Sequence, residues 1–281
     1  MVTETMMPVN GIQVCVETFG EPDEPPMLLL AGEASSMDWW DDEFCRRLAA
    51  GGRFVIRYDH RDTGRSTCFP IGVPGYSGTD LMNDALGVLD ALRIPAAHLV
   101  GLSLGGALAQ QIAVRHPGRV LGLTLISTSP GSGDTEQPRA AGGTATIAGT
   151  RTEVDWSNRK AAVAGLIAEV RARGGPFTAE EQHLRRLAER VFDRSGDLAA
   201  SRHNHRLAGY GPSVRDRLCA ITVPTVVLHG TLDQRFPSEH PEELARSIPG
   251  ARLVWLEGVG HEFPPRAVWD RVLTEILGAP A

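Results

Sequence analysis

One lysine, Lys160, stands among 28 basic residues, and the formal net charge is −6. A chain with this balance has no basic footprint for nucleic acid, and the arginine bias reads as the codon habit of a GC-rich genome. Long apolar runs are absent too. The stretch Met27 to Ala31 is far shorter than the roughly 18 residues a membrane span needs, so no membrane partner is expected. The four cysteines, Cys15, Cys45, Cys68 and Cys219, are widely separated and form no C-x-x-C, which excludes a zinc ribbon, a redox pair and a disulfide framework. They read as buried or half-buried thiols of a cytoplasmic protein. Met1 to Met7 carries Glu4, no base and no following apolar segment, so a secretory signal is not expected. What remains is ordinary: hydrophobic residues are 42% and charged residues 22% of 281, enough to bury a full core without a metal.

The chain alternates short apolar runs with amphipathic ones. Asn10-Gly11 reads as a tight turn between two strands. Apolar runs at Met27 to Ala31, Phe54 to Tyr58, His98 to Val100 and Val120 to Ile126 read as strands. Helical spacing at Asp42 to Ala50, Asp80 to Leu92 (capped by Thr79 or Asp80) and Ala107 to Arg115 separates them. Strand, helix, strand in this order predicts crossover units and a mostly parallel sheet flanked by helices. The rhythm breaks at Ser127. A stretch from Gly131 to Gly149 is rich in Gly, Ser, Thr and Ala, and helical segments follow from Val154 to Leu207. The rhythm then resumes with strands at Thr225 to His229 and Leu253 to Leu256 and helices at Glu239 to Ser247 and Ala267 to Leu277. The expected organisation is an α/β core, residues 1–130 and 219–281, with residues 131–218 as a helical cap whose Gly-rich start is a mobile strap.

Gly101-Leu102-Ser103-Leu104-Gly105 is a G-x-S-x-G between a predicted strand and a predicted helix. That context demands a strained turn which lifts the serine oxygen to a helix N-terminus, with glycines where neighbouring chains pass closely. A serine hydroxyl attacks only when a base removes its proton and an acid orients the base. Asp233 follows the predicted strand ending at His229, and His261 follows the one ending at Leu256. Serine, acid and histidine thus occur in order, each past the C-terminal end of a strand, where active sites of such sheets gather. The oxyanion needs two backbone donors. The expected ones are the amides of Leu104 and of Glu33, in the loop Ala31-Gly32-Glu33. His60, Arg61 and Asp62 read as structural. Trp39, Trp156 and His205 are the candidates for the substrate pocket, although Trp39-Trp40 also suits packing under the oxyanion loop. No cofactor or metal is expected.

These residues resemble the α/β-hydrolase superfamily. The resemblance covers Leu30-Ala31-Gly32 with Trp40, Asp59-His60-Arg61 through Gly64-Arg65-Ser66, Gly101 to Gly106, Gly230 with Asp233 and Pro237, and Gly258, Gly260 and His261. More closely, Asp42-Glu43-Phe44, Arg46-Arg47-Leu48-Ala49 and Arg57 to Thr67 look like the aclacinomycin methylesterase type. The resemblance implies hydrolysis of a carboxylic ester, such as a methyl ester on a polyketide, through an acyl-enzyme. The same triad also serves thioesterases, lactonases, C–C hydrolases and perhydrolases, and the fold has non-catalytic binding members. Epoxide hydrolases and haloalkane dehalogenases are disfavoured because they need an aspartate where Ser103 stands. Two departures stand out: Ala31-Gly32 occupies the place of the usual His-Gly, and Glu33 puts an acid beside the oxyanion site. Charge repulsion then leaves three arrangements for the Glu33 carboxylate: turned away toward an arginine or water, protonated, or binding a polar part of the substrate, of which the outward one is expected. A small-molecule ester is the expected partner, and the protein is expected as a monomer or homodimer.

Overall fold

The computed structural model describes residues 4–131 and 154–278. Eight strands form one sheet: β1 (Thr5–Val9), β2 (Ile12–Phe19), β3 (Pro26–Leu30), β4 (Phe54–Tyr58), β5 (Ala97–Leu102), β6 (Val120–Ile126), β7 (Thr225–Gly230) and β8 (Arg252–Leu256). Their order is β1-β2-β4-β3-β5-β6-β7-β8. Asn10 and Gly11, both at positive φ, close the β1–β2 hairpin. β2 runs antiparallel to β4, and every pairing from β4 onward is parallel.

Crossover helices cover both faces. The helices α1 (Asp42–Ala50) and α8 (Trp269–Leu277) bury Phe44, Leu48, Val272 and Ile276 on one side. On the other, α2 (Gly78–Ala91), α3 (Leu104–Arg115) and α7 (Glu239–Ser247) bury Leu81, Leu108 and Leu244. Strand interiors such as Met27 to Leu30 are fully buried, as continuous apolar runs between two helical layers must be. The crossover direction reverses at β3 and β5, so the loops after these two neighbouring strands open side by side at the sheet's C-terminal edge.

Two helix starts differ from the sequence reading. α2 begins at Gly78 rather than Asp80, because the Asp80 carboxylate accepts the Ser77 amide at 2.8 Å and makes Ser77 the cap. α3 begins directly after Ser103, since Gly105 and Gly106 serve close packing inside the helix rather than a longer turn. The thiols also differ. Cys15 and Cys45 are buried, with burial pushing each thiol up to about 12, whereas Cys68 and Cys219 are exposed.

Between β6 and β7 the described chain forms three helices, α4 (Arg159–Arg173), α5 (Glu181–Arg194) and α6 (Leu198–Ala208). They share a small apolar cluster of their own around Leu166, Leu184 and Val191. The expected strap from Gly131 to Gly149 lies, beyond Gly131, outside the described residues.

Candidate active site

Ser103 sits between β5 and α3 with φ 53° and ψ −112°, a backbone shape that costs a non-glycine residue on the order of 1–3 kcal/mol. The surroundings hold it there. Its amide donates to the Ile126 carbonyl at 3.0 Å, and the Thr128 hydroxyl donates to its carbonyl at 2.8 Å. A Cβ on Gly105 would stand 2.1 Å from the Leu30 carbonyl oxygen, so only glycine lets α3 start this close to β3.

The other two residues arrive on the next loops along the same edge. His261 Nε2 lies 3.2 Å from Ser103 Oγ, and its Nδ1 lies 2.8 Å from Asp233 Oδ2. The second oxygen of Asp233 accepts the amides of Arg235 and Phe236 at 2.9 and 3.0 Å, which fixes the carboxylate's plane. Burial raises the Asp233 carboxyl, but the hydrogen bond and charge of His261 outweigh it and hold the group below its ordinary value. Burial depresses the His261 imidazole; Asp233 opposes this, Arg235 and Arg173 assist it, and the net value falls below 6.5. A neutral imidazole with Nδ1–H turned to Asp233 leaves Nε2 free to accept the serine proton.

Opposite Ser103 lies the loop after β3. The amides of Glu33 and Leu104 donate to no acceptor among the described residues, while the neighbouring Ala34 amide is already taken. Its acceptor is Nδ1 of His205 at 3.0 Å; His205 Nε2–H in turn donates to the Arg61 carbonyl at 2.7 Å. His60 Nε2–H donates to the Ala31 carbonyl at 3.2 Å. Two buried imidazoles therefore hold this loop from below. Burial, with the His205 ring beside it, lowers His60 to about 3, and burial also lowers His205. Both rings stay neutral, which their hydrogen-bonding roles require.

The Glu33 carboxylate turns aside. It accepts from the Tyr210 hydroxyl at 2.9 Å and from Arg235 at 3.3 Å, with Arg206 at 3.6 Å. Burial raises this group, yet Arg235, the Tyr210 hydrogen bond and Arg206 together keep it ionised below its ordinary value. Arg235 and Tyr210 escaped the sequence reading. Arg235 stood two residues from Asp233 in the same loop, whereas nothing local marked Tyr210.

Above Ser103 a cavity of about 460 Å³ opens, within the size range of small-molecule sites. Its apolar wall includes Trp39, Leu166, Leu187 and Phe263, with Trp39 stacked on Phe263 at 5.9 Å. Two expected pocket residues behave differently. Trp156 is not part of the wall, because it packs on the α4–α6 cluster beneath the Arg202 guanidinium, 4.4 Å from its ring centroid. His205 borders the cavity but is 2% exposed, and both its ring nitrogens are committed to the backbone.

Asp38 and Asp59, 1% and 0% exposed, gather Arg190 and Arg194 of α5. Arg194 pairs with Asp38, with Asp59 at 2.9 Å and with Glu4 at 2.7 Å; Arg190 reaches Asp38 at 2.7 Å and Asp42 at 3.0 Å. In the turn expected to be structural, Arg61 grips Asp84 with two nitrogens, and Asp62 accepts from Tyr76, Asn204 and the Phe69 amide.

A serine on a strained strand–helix turn, aligned with histidine and aspartate from later loops of a mostly parallel sheet, defines a class of protein. Residues 25–264 match the family model for the alpha/beta hydrolase fold, and the chain belongs to that family. It is 34% identical to rhodomycin D methylesterase DauP of Streptomyces sp. strain C5 over 92% of both chains. It is 33% identical, over the same shares, to rhodomycin D methylesterase DnrP of Streptomyces peucetius. Among solved structures it is similar to the enol-lactonase from Burkholderia xenovorans LB400, at a TM-score of 0.75 and 25% identity over 98% of this chain and 100% of that one.

Proposed function

We propose that this chain hydrolyses carboxylic esters of small organic molecules, among them methyl esters on polyketide-like skeletons, with Ser103 as nucleophile, His261 as base and Asp233 as its orienting acid. The observation that carries the reading is the unbroken line Asp233–His261–Ser103 facing a cavity of about 460 Å³. The methylesterase relatives support the ester, and its methyl group in particular.

The geometry performs the reaction in two halves. His261 Nε2 takes the Ser103 proton as Oγ adds to the ester carbonyl. The amides of Glu33 and Leu104 receive the oxygen that becomes negative. Such donors act where charge develops, and losing one costs about 10²–10³ in turnover in comparable sites. Collapse of the tetrahedral species returns the proton to the leaving alcohol, methanol for a methyl ester. Water, deprotonated by the same imidazole, then attacks the acyl-serine and releases the acid. The paired Glu33 carboxylate keeps its charge off the oxyanion, since two like charges 4 Å apart cost about 4 kcal/mol at an effective dielectric of 20. The helices α4 and α5 act as part of the lid that selects the substrate, because Leu166, Val170, Leu184 and Leu187 share the apolar wall with Trp39 and Phe263 of the core. Four unpaired cysteines suit a reducing compartment such as the cytoplasm.

The test joins labelling to turnover. A fluorophosphonate should attach to Ser103 and to no other serine. Ser103→Ala should lower hydrolysis of a cleaved methyl ester by about 10⁶. A Ser103→Ala protein within tenfold of the parent would overturn the assignment.

A further inference from the structure

The polar end of the cavity is crowded with charge, and the pairing there is uneven. Four carboxylates border the cavity: Glu33, Asp41, Glu169 and Glu262. Each has partners. Glu33 is held by Tyr210 and Arg235, Asp41 meets Arg266 at 3.2 Å, and Glu169 pairs with Arg202. Glu262 accepts from the Thr178 hydroxyl at 2.9 Å and the Gly175 amide at 3.1 Å.

Arg173 is the surplus. Its side chain borders the same cavity as Ser103 and His261, and it makes no ion pair or hydrogen bond among the described residues. It is nonetheless close enough to Glu169, Glu33 and His261 for these charges to feel one another. Arg173 is exposed to solvent on the cavity wall beside other cations and has no anion of its own, so its guanidinium is open to an anion that enters the cavity.

The position of this arginine is fixed with respect to the chemistry. Arg173 ends α4, and its carbonyl accepts the amide of His261 at 2.7 Å. A Cβ on Gly260 would stand 2.0 Å from that same carbonyl oxygen, so the glycine permits the contact. The helix end that carries the guanidinium is thus tied to the loop that carries the base.

We propose that Arg173 receives a carboxylate carried by the substrate itself, so that this chain prefers esters bearing a second, free acid group over the corresponding neutral esters. A guanidinium presents two parallel N–H bonds to a carboxylate, which gives orientation as well as attraction. The substrate spans from Arg173 to the amides of Glu33 and Leu104, with its apolar body along Trp39 and Leu187. This specificity rests on the ester-hydrolase reading of the same site.

The experiment compares monomethyl with dimethyl succinate, glutarate and adipate, so that one skeleton is read with and without its acid. The parent should favour the half-ester by about tenfold or more in kcat/KM at the best-fitting chain length. Arg173→Gln should reduce that preference at least tenfold, chiefly through KM, and Arg173→Lys should keep part of it because the charge remains. A merely structural role for Arg173 would slow both esters alike and leave their ratio unchanged, which overturns the proposal; so does a parent that prefers the diester at every length. Should neither ester be cleaved, the ester-hydrolase reading fails for these skeletons, and binding decides the role of Arg173. Glutarate should then slow fluorophosphonate labelling of Ser103 more than butyrate does, and this advantage should vanish in Arg173→Gln. Equal protection by the two acids, or an advantage that survives the substitution, overturns it.

Discussion

The core and the three-helix insertion hold together by different physics. The core buries two broad apolar layers, one on each face of the sheet, with buried ion pairs such as Arg57–Glu17 and Arg61–Asp84 beside them. The insertion has one small cluster and is fastened to the core by Arg190 and Arg194 on buried aspartates. Apolar layers are close-packed and stiff, which suits a serine, a histidine and two amides that must keep their places to within fractions of an ångström. Ion pairs fix a rigid body by a few directional contacts and leave the facing surface free to vary. In the reading proposed above, the chemistry sits on the sheet edge, and the cavity wall is shared between the core, through Trp39 and Phe263, and the charge-fastened helices, through Leu166 and Leu187.

The core half of this contrast is broken most sharply at Asp233. Asp233→Asn keeps the shape but offers the wrong group to Nδ1, and turnover of a cleaved ester should fall by roughly 10⁴ with the thermal midpoint little changed. Steady-state rates and calorimetry on the same sample would read this, and an Asn variant of full activity would place the acid elsewhere.

The insertion half is broken at Arg194. Arg194→Met leaves Asp59 without its guanidinium and Asp38 with Arg190 alone, both in the interior. Removing one side of a buried ionic cluster costs about 3–5 kcal/mol. The unfolding midpoint should therefore drop by several degrees, since 1 kcal/mol shifts a domain of this size by about 2–4 °C. An unchanged midpoint would mean that the apolar contacts of α5 alone hold the insertion.

The smallest effect sharpens the place where the two regions meet. The active imidazole is the deprotonated one, so kcat/KM should rise with pH through His261. Its value lies below 6.5, so the rise should be centred on the acid side of that figure. Arg235 is one of the charges that depress it. Arg235→Gln removes a cation and leaves Glu33 less well paired. Both changes favour the protonated ring, so the midpoint should move upward. Turnover on a neutral ester at pH 8, above the transition, should change by less than about tenfold, because the Glu33 amide survives the substitution. A midpoint that stayed in place, or moved down, would show that Arg235 does not act on His261.

Local sequence carried the parts of this protein that are local in space. Ser103 was legible because its turn needs glycine on both sides, and those glycines, Gly101 and Gly105, stand only two residues away. Asp233 and His261 were legible because each lies a few residues past a strand end, and parallel strands deliver all such ends to one edge. The central strands, such as β3 to β7, were legible because both their faces are buried, which forces continuous apolar runs. Even the need for the Glu33 carboxylate to avoid the oxyanion followed from the identity of the residue and Coulomb's law.

Tertiary structure alone decided the rest, for one physical reason. A charged or aromatic side chain looks the same in sequence whether it is paired, stacked or left over, and its state depends on partners far along the chain. Trp156 lies half-buried against the insertion's own cluster, with Arg202 over its ring. His205 became a support for the oxyanion loop because Ala34, 171 residues earlier, needed an acceptor for its amide. Asp38 and Arg194, 156 positions apart, gave no local sign of pairing. Arg173 is distinguished only by what its neighbours do with their charges: Glu33, Glu169 and Glu262 are taken, and that allocation exists only once α4, α6 and the loops after β3, β7 and β8 are brought to one cavity.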